Sequence, residues 1–300
     1  MNSYFSPMLK IKSSGRSLAE LLIAIGIGII ILLAITTLFF TNSQASRATD
    51  EKARLESEGR LALNLVAFHL RMAGYGQLVD ADPSPDGPPR KTLFFDDTGG
   101  TVPAALFGCA GSFSDPVALT SACAGNTQPD AIAIRYYVDQ FNSNSTTTTP
   151  TDCLGQVVTT APTVVENRFF IRTNATTLKS ELYCVGNGGS PTANLNAPQP
   201  IAENIIDMKI RYSLDASGGQ SATTAPMDAT AVVSSAVPDP WSHVVSVNVC
   251  LVAQSANDGV ATSPQQYRDC AGQLITATDK RLYATFSSVI TLRSRASGSI

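Results

Sequence analysis

Residues 14–22 read SGRSLAELL, and residues 21–40 continue as LLIAIGIGIIILLAITTLFF. The second stretch contains no charged residue and as a helix would extend about 30 Å, which is enough to cross the hydrocarbon core of a bilayer. Lys10, Lys12 and Arg16 precede it, and basic residues that flank a membrane span stay on the cytoplasmic side. The sequence therefore predicts one transmembrane segment over residues 21–40, with the N-terminus in the cytoplasm.

The helical pattern does not end with the apolar run. No proline occurs between Pro7 and Pro83, and residues 47–73 combine mixed charges with apolar residues at helical spacing. Gly-Tyr-Gly at 74–76 should stop the helix, so we expect it to cover residues 16–73, about 87 Å. Its second half should bury an apolar stripe against a sheet, formed by Leu61, Leu65, Phe68 and Met72 and widened by Leu55, Ala62, Val66, His69 and Ala73.

Two features distinguish the start of the chain from an ordinary signal peptide or signal anchor, which remain the alternatives. A secretory signal is cleaved after its apolar core, next to small residues, whereas the candidate cut at Gly15–Arg16 precedes the core. Glu20 lies at the cytoplasmic edge of the apolar run, where a carboxylate is costly, so its presence indicates a function.

Residues 14–22 resemble the class III signal of type IV prepilins: a Gly, a cleavage point, a short apolar stretch and a Glu at the fifth position. The resemblance implies that a prepilin peptidase cuts between Gly15 and Arg16. It also implies N-methylation of the new terminus at Arg16, where the family usually has Phe. Glu20 is implied to pair with the terminal amine of an adjacent subunit and to set axial register, because an amine among apolar helices is costly unless paired.

Later passages resemble the PilW-type minor pilins, from the end of the helix to the end of the chain. They are LRMAGYG at 70–76, IIDMKIRY at 205–212, VVSVNV at 244–249 after Trp241, and RLYATFSSVITLRSR at 281–295. The resemblance implies an α+β, pilin-like fold. In that fold a long N-terminal helix, membrane-spanning in its first half, packs on an antiparallel β-sheet head domain.

The function implied by the resemblance is structural. A minor pilin of this kind takes part in type IV pilus assembly and initiation, in a tip complex that supports twitching motility, adhesion or DNA uptake. The implied partners are other minor and major pilins, bound through the helix, together with the prepilin peptidase and the bacterial inner membrane. The head would be periplasmic and would later belong to the pilus. Two alternatives stay open: a J-type minor pseudopilin of type II secretion, and a membrane-anchored binding protein or adhesin.

The composition of the chain predicts three parts: a leader at 1–15, the long helix at 16–76, and a β-rich head at 77–300. Residues 77–130 are rich in Gly, Pro, Asp and Ser and predict a long loop region with short strands. Strands are predicted over residues 131–138, 164–172, 181–185, 206–214, 244–252 and 282–292. Surface loops are predicted at 142–150, 191–200 and 215–226.

The predicted head contains all six cysteines: Cys109, Cys123, Cys153, Cys184, Cys250 and Cys270. None forms a C-x-x-C pair, and an even number in a domain behind a membrane anchor indicates disulfides in an oxidising compartment. Six cysteines allow many connectivities, of which pairing between near neighbours along the chain is the simplest. Buried free thiols are the alternative.

No motif for catalysis, cofactor binding or metal binding occurs in the sequence, and we expect neither an enzyme nor a cofactor. His69 falls on the helix stripe and His243 precedes a strand, so both have a structural interpretation. The acidic stretch at 80–87, DADPSPDG, does not have the spacing of a calcium loop and predicts a solvated loop. The net charge of −3 provides no basic field for nucleic acid.

Overall fold

The computed structural model describes residues 17–76, 104–125, 127–137, 151–158, 164–189, 194–215, 224–237 and 239–292, with the backbone of short strands at 78–79 and 91–92. The leader with Gly15 and Arg16, the acidic stretch at 80–87 and the loop at 142–150 lie outside these residues. The chain forms two compact units, Met1–Thr49 and Asp50–Ile300. They are described separately below.

Helix α1 runs over Leu18–Met72, close to the bounds that the sequence predicts. Gly74 ends it with a φ of 72°, a left-handed conformation that glycine adopts without steric cost. The amide of Gly74 donates to the carbonyl of Arg135 at 2.9 Å, which ties the end of the helix to a strand of the head.

The second unit contains two main antiparallel sheets. The larger follows the chain order β3 (Leu106–Cys109), β4 (Ala131–Tyr137), β5 (Val164–Thr173), β6 (Ser180–Gly186) and β7 (Gln199–Glu203). The smaller has the order β12-β9-β8, with β8 at Ile205–Leu214, β9 at Val244–Gln254 and β12 at Tyr283–Thr291. Two two-stranded ribbons, a short helix and a 3-10 helix complete the described elements. They are β1–β2 (Leu78–Val79, Lys91–Thr92), β10–β11 (Gln266–Arg268, Leu274–Thr276), α2 (Ala229–Val233) and the 3-10 helix Pro240–His243.

The two sheets are joined at Asp130, the residue before β4. Its amide donates to the carbonyl of Met208 at 2.8 Å, and its carboxylate accepts from the amide of Ile210 at 2.8 Å. The ammonium group of Lys209 lies 3.1 Å from the same carboxylate. The buried Asp130 thus holds β8 beside the larger sheet through its backbone amide and its carboxylate.

The core lies between these sheets and the second half of α1, so the predicted α+β arrangement of a helix on antiparallel strands is confirmed. The predicted helix stripe is wrong in part. Leu61 and Phe68 are 47% and 42% exposed, whereas the buried face consists of Leu55, Gly59, Ala62, Val66, Ala67, His69 and Leu70. At Gly59 the absence of a side chain leaves room for the ring of Phe286, which lies directly against the helix.

Three disulfides fasten segments of the head to its strands. Cys109–Cys123 joins β3 to the chain that follows it, Cys153–Cys184 joins a loop to β6, and Cys250–Cys270 joins β9 to the turn of the β10–β11 ribbon. These are the near-neighbour pairs. Each closes a loop of 14 to 31 residues, for which the chain-entropy estimate is about 3 kcal/mol.

The close approach of α1 to β12 generates a prediction for Gly59. A Cβ added there would overlap the ring of Phe286, while a Cβ at Gly26, on the same helix, meets nothing within 4 Å. Alanine favours a helix over glycine by about 1 kcal/mol at both positions, but overpacking costs about 1–3 kcal/mol at Gly59 alone. We expect Gly59→Ala to lower the unfolding free energy of the head and Gly26→Ala to leave it unchanged.

The measurement is urea unfolding of the full chain in detergent, followed by the fluorescence of Trp241. This is the single tryptophan of the chain and it lies buried in the head. A Gly59→Ala head as stable as that of Gly26→Ala would contradict the tight contact with Phe286.

Candidate functional site

Two hydrogen bonds that involve Ser17 close the N-terminus of α1. The amide of Ala19 donates to the hydroxyl of Ser17 at 3.3 Å, and the amide of Ser17 donates to Oε2 of Glu20 at 3.2 Å. The carbonyl of Ser17 accepts the first helical bond, from Leu21 at 3.2 Å. Residues 17–20, SLAE, have the sequence pattern of a capping box, and the Glu20 side chain makes the bond to the Ser17 amide that this motif requires, while the Ser17 hydroxyl caps the amide of Ala19.

Behind this cap, α1 presents an uninterrupted apolar surface. The large apolar side chains from Leu18 to Phe40 are at least half exposed. The hydroxyls of Thr36, Thr37 and Thr41 turn back to carbonyls of the preceding helical turn at 2.8–2.9 Å, so they add no unpaired polar group. The helix is long and apolar enough to cross a membrane, by length and composition. An exposed surface of this kind requires lipid or other apolar helices around it.

A buried polar cluster holds the other end of α1 to the larger sheet. Nδ1 of His69 lies 3.0 Å from the hydroxyl of Tyr136 and 3.1 Å from the amide nitrogen of Asn167. The carbonyl oxygen of Asn167 accepts from the amide of Cys153 at 2.8 Å, which fixes the orientation of the Asn167 amide. The Asn167 nitrogen also donates to the hydroxyl of Tyr136 at 3.1 Å, so the three side chains form one closed hydrogen-bonded cluster.

Burial sets the protonation of this cluster. It lowers the pKa of His69 from 6.5 to about 4, and it raises the pKa of Tyr136 well above its ordinary value. Both groups are therefore neutral near pH 7. They act as hydrogen-bonding parts of the core and have no free face for acid–base chemistry.

A buried ion cluster anchors the segment 104–121 to the strands. Arg135 and Arg168 both bind the carboxylate of Glu166, at 2.9 Å and 2.6 Å. The guanidinium groups also donate to carbonyls of the segment, Arg135 to Ala104 and Arg168 to Pro116 and Leu119, at 2.8–3.1 Å. Burial alone would raise the pKa of the Glu166 carboxyl, but the two cations hold it below its ordinary value. The three charged side chains are thus paired with one another and with backbone carbonyls inside the head.

The structure brings only some of the predicted site residues together. Glu20 lies at the start of α1, while Gly15 and Arg16 lie outside the described residues. His69 is buried in the core, and Nδ1 of His243 lies 2.9 Å from the carbonyl of Asp215. Over the residues that the structure describes, no three His, Cys, Asp or Glu side chains converge as a metal site requires.

Two groups of residues escaped the sequence analysis. The capping role of Ser17 could have been predicted, because residues 17–20 read SLAE, which is the Ser-x-x-Glu sequence pattern of a capping box. No sequence pattern indicates the partners of His69, because Tyr136 and Asn167 come from separate strands far along the chain. Only the fold shows that these side chains meet.

Comparison with known proteins gives one family match. Residues 168–294, from within β5 through the end of β12, match the model of the type IV pilus-assembly protein W family, which confirms the resemblance over that part of the chain. Among solved structures, a type IV-like pilin from Thermus thermophilus is similar. It is 12% identical, the alignment covers 81% of this chain and 99% of that chain, and the TM-score is 0.41. No curated protein sequence matches.

The neutral state of His69 generates a prediction for acid stability. The unfolded chain takes up a proton near pH 6.5 and the folded chain only near pH 4, so the unfolded state binds more protons between these values. The contribution of His69 is therefore fully present above pH 6.5 and is lost as the pH falls towards 4, by about 3 kcal/mol in total. We expect the unfolding free energy to fall by about 2 kcal/mol between pH 7 and pH 5.

The check is urea unfolding followed by Trp241 fluorescence at a series of pH values, with His69→Gln as the comparison. The glutamine does not titrate, so the variant should be less dependent on pH between 7 and 5. Equal slopes in the two proteins would show that another group causes the dependence.

Proposed function

We propose that this chain is a membrane-anchored minor pilin of the PilW type, a structural subunit in type IV pilus assembly. One observation supports this most strongly: an exposed apolar helix, which begins at Leu18 and has Glu20 in its first turn, precedes a head whose residues 168–294 match the family of pilus-assembly protein W. An enzyme would need a cluster of reactive groups. The buried ionisable groups described above instead form hydrogen bonds and ion pairs inside the head.

The proposed assembly route begins in the inner membrane. The leader 1–15 stays in the cytoplasm, residues 21–40 cross the bilayer, and the head lies in the periplasm, where its three disulfides can form. A prepilin peptidase cuts at Gly15–Arg16 and leaves Arg16 as the new terminus, with N-methylation as a further step. The apolar side chains of α1 then exchange lipid for the helices of neighbouring pilins.

Glu20 has two roles in this proposal, and each can be assigned to a different oxygen atom of its carboxylate. Oε2 accepts the Ser17 amide of its own chain, while Oε1 has no partner among the residues described. We propose that Oε1 receives the terminal amine of an adjacent subunit. Because an unpaired charge is costly among apolar helices, a subunit shifted along its neighbour would lose this pairing, and the contact would thereby set the axial register.

A place in the tip complex is the finer part of the proposal, since minor pilins start filaments in the family that the chain resembles. Motility, adhesion and DNA uptake would then follow from the filament as a whole.

A J-type pseudopilin of type II secretion would use the same helix. Loss of pili in a deletion strain, with enzyme secretion intact, separates the two. A simple anchored adhesin would retain its leader.

Three substitutions at the start of α1 separate the register role from the cap. Ser17→Ala removes the hydroxyl that caps the Ala19 amide and retains the charge, Glu20→Gln retains an acceptor for the backbone amide of residue 17 and removes the charge, and Glu20→Ala removes both this acceptor and the charge. We expect Ser17→Ala to be incorporated into pili close to the wild-type level, because a lost cap costs only about 1 kcal/mol. Glu20→Gln and Glu20→Ala should both be reduced by about tenfold or more, since pairing a desolvated amine involves several kcal/mol.

The measurement is the amount of the subunit in sheared pili relative to the amount in the membrane. Membrane levels of all three variants should be equal, which excludes a failure of insertion. Wild-type incorporation of Glu20→Gln would refute the charge pairing. If Ser17→Ala lost as much incorporation into pili as Glu20→Ala, helix capping alone would explain the effect of Glu20.

A further inference from the structure

A cavity of about 170 Å³ lies beside the buried ion cluster of the head, and the proposed function gives it no role. It is lined by Ala104, Phe107, Leu119, Thr120, Ser121 and Arg135. Leu119 and Thr120 are exposed, so the cavity opens to solvent. It holds several water molecules but is smaller than the sites of drug-sized ligands, which start at about 300 Å³. A ligand of this cavity would therefore be a small group.

The walls of the cavity are fixed before any ligand arrives. Phe107 belongs to β3, which pairs with β4. On the other side, the guanidinium group of Arg168 donates to the carbonyls of Pro116 and Leu119 at 3.0 and 3.1 Å. The disulfide Cys109–Cys123 closes the chain between β3 and the end of this segment. Little conformational entropy would be lost on binding, because the site is already ordered.

Arg135 places a positive charge at the wall of the cavity, and its side chain is only 3% exposed. A guanidinium group has five N–H donors. Two of them donate to Glu166, one donates to the carbonyl of Ala104, and one donates to the hydroxyl oxygen of Ser121, at 2.8–3.0 Å. Within the described ranges this leaves one N–H, on Nη1, for an acceptor that enters the cavity.

The charges around the cavity favour an anion. Arg135 and Arg168 share the single carboxylate of Glu166, so the buried ion cluster has one positive charge in excess. The exposed carboxylate of Asp115 interacts with Arg168 and so offsets charge on that side of the cluster. The six lining residues of the cavity include no acid. The uncompensated positive charge is therefore on the side of Arg135, where an anion would be attracted.

The remaining lining residues limit the kind of anion. The oxygen of Ser121 accepts from Nη2 of Arg135, so its own hydroxyl proton can be donated to a ligand. The hydroxyl of Thr120 adds a polar group, whereas Phe107 and Leu119 form apolar walls. A phosphate or sulfate would leave most of its oxygens facing these apolar walls without donors. A carboxylate on a short apolar chain matches both the donors and the walls.

We propose that this cavity binds a carboxylate carried on a short apolar chain. The carboxylate accepts from Nη1 of Arg135 and from the hydroxyl of Ser121, and the apolar chain packs on Phe107 and Leu119. The same chemistry occurs in free short-chain carboxylic acids and at the C-terminus of a peptide. The head would then have a ligand site in addition to its structural role in a pilus.

Trp241 provides the signal for a binding test. Its ring centroid lies 5.8 Å from that of Phe107, so a ligand on Phe107 should change the fluorescence of this single tryptophan. The full chain in detergent would be titrated with butyrate at constant ionic strength. A ligand of about six non-hydrogen atoms should half-saturate the site at about 1–10 mM. Butanol and butylammonium, which lack the carboxylate, should require at least about tenfold higher concentrations.

Two pairs of variants connect the signal with the cavity. Leu119→Glu adds a carboxylate at the wall and should raise the half-saturating butyrate concentration at least about tenfold, because like charges repel. Its matched control is Leu178→Glu, at a leucine that is 78% exposed on the turn between β5 and β6. Ser121→Ala removes the hydroxyl donor and should weaken binding several-fold. Its control is Ser114→Ala, in the same segment, where the hydroxyl donates to the carbonyl of Ala122. Both controls should bind butyrate as the wild type does.

Urea unfolding gives a second measurement of binding. A ligand that binds only the folded head raises the unfolding midpoint as its concentration increases. The midpoint should rise with butyrate in the wild type and in both controls, and it should rise much less in Leu119→Glu. The unfolding curves without ligand also show whether each variant is folded.

The outcomes separate the sources of the carboxylate from failure of the proposal. N-acetylalanine presents the carboxylate of a peptide end. Tighter binding of N-acetylalanine than of butyrate supports the end of a protein chain as the occupant, and the reverse supports a free acid. The proposal is overturned by equal responses to butyrate and butanol, by unchanged binding in Leu119→Glu, or by the absence of both a saturable fluorescence change and a midpoint shift. None of these measurements depends on incorporation into pili, so the assembly role is tested separately.

Discussion

The close packing of one face of α1 on the sheets is the contact on which the rest of the head depends. Gly59, Ala62 and Val66 present so little side chain that strands of both sheets reach the same helix, and the ring of Phe286 occupies the space above Gly59. Larger residues on this face would separate the sheets from the helix and leave voids in the core. The same helix continues into the apolar segment, so one element supplies both the centre of the head and its attachment.

Two buried polar clusters in this core have their side chains paired with one another. His69, Tyr136 and Asn167 satisfy one another without charge, and Glu166 binds two buried arginines. Buried charges that are fully hydrogen-bonded add specificity to a fold, because other arrangements would leave them unpaired. Among the residues that the structure describes, the exposed apolar side chains of α1, with Glu20 at its start, form a surface suited to binding lipid or other apolar helices.

Patterns within short segments allowed much of this architecture to be predicted. The uncharged run and the absence of proline predicted α1 nearly to its ends, and the alternation in residues 206–214 predicted β8. The predicted helix stripe was correct in Ala62 and Val66, which are buried, and wrong in Leu61 and Phe68, which are exposed. It missed Gly59, because a residue without a side chain gives no apolar signal, although the ring of Phe286 lies against it. Strand β7 begins inside the stretch 191–200 predicted as a loop, since its pairing with β6 includes a proline and a register shift. The ribbon β10–β11 is short and depends on the disulfide to Cys270, so its residues show no clear strand pattern.

The central claim is that the chain is a pilin-type subunit whose leader is removed before the apolar helix, and its mature N-terminus tests this most directly. The protein would be purified from membranes of cells that contain a prepilin peptidase, and its intact mass and N-terminal peptide would be measured by mass spectrometry. The account predicts a chain that begins at Arg16, with or without a methyl group. A chain that retains residues 1–15, or one cut after residue 40, would contradict it.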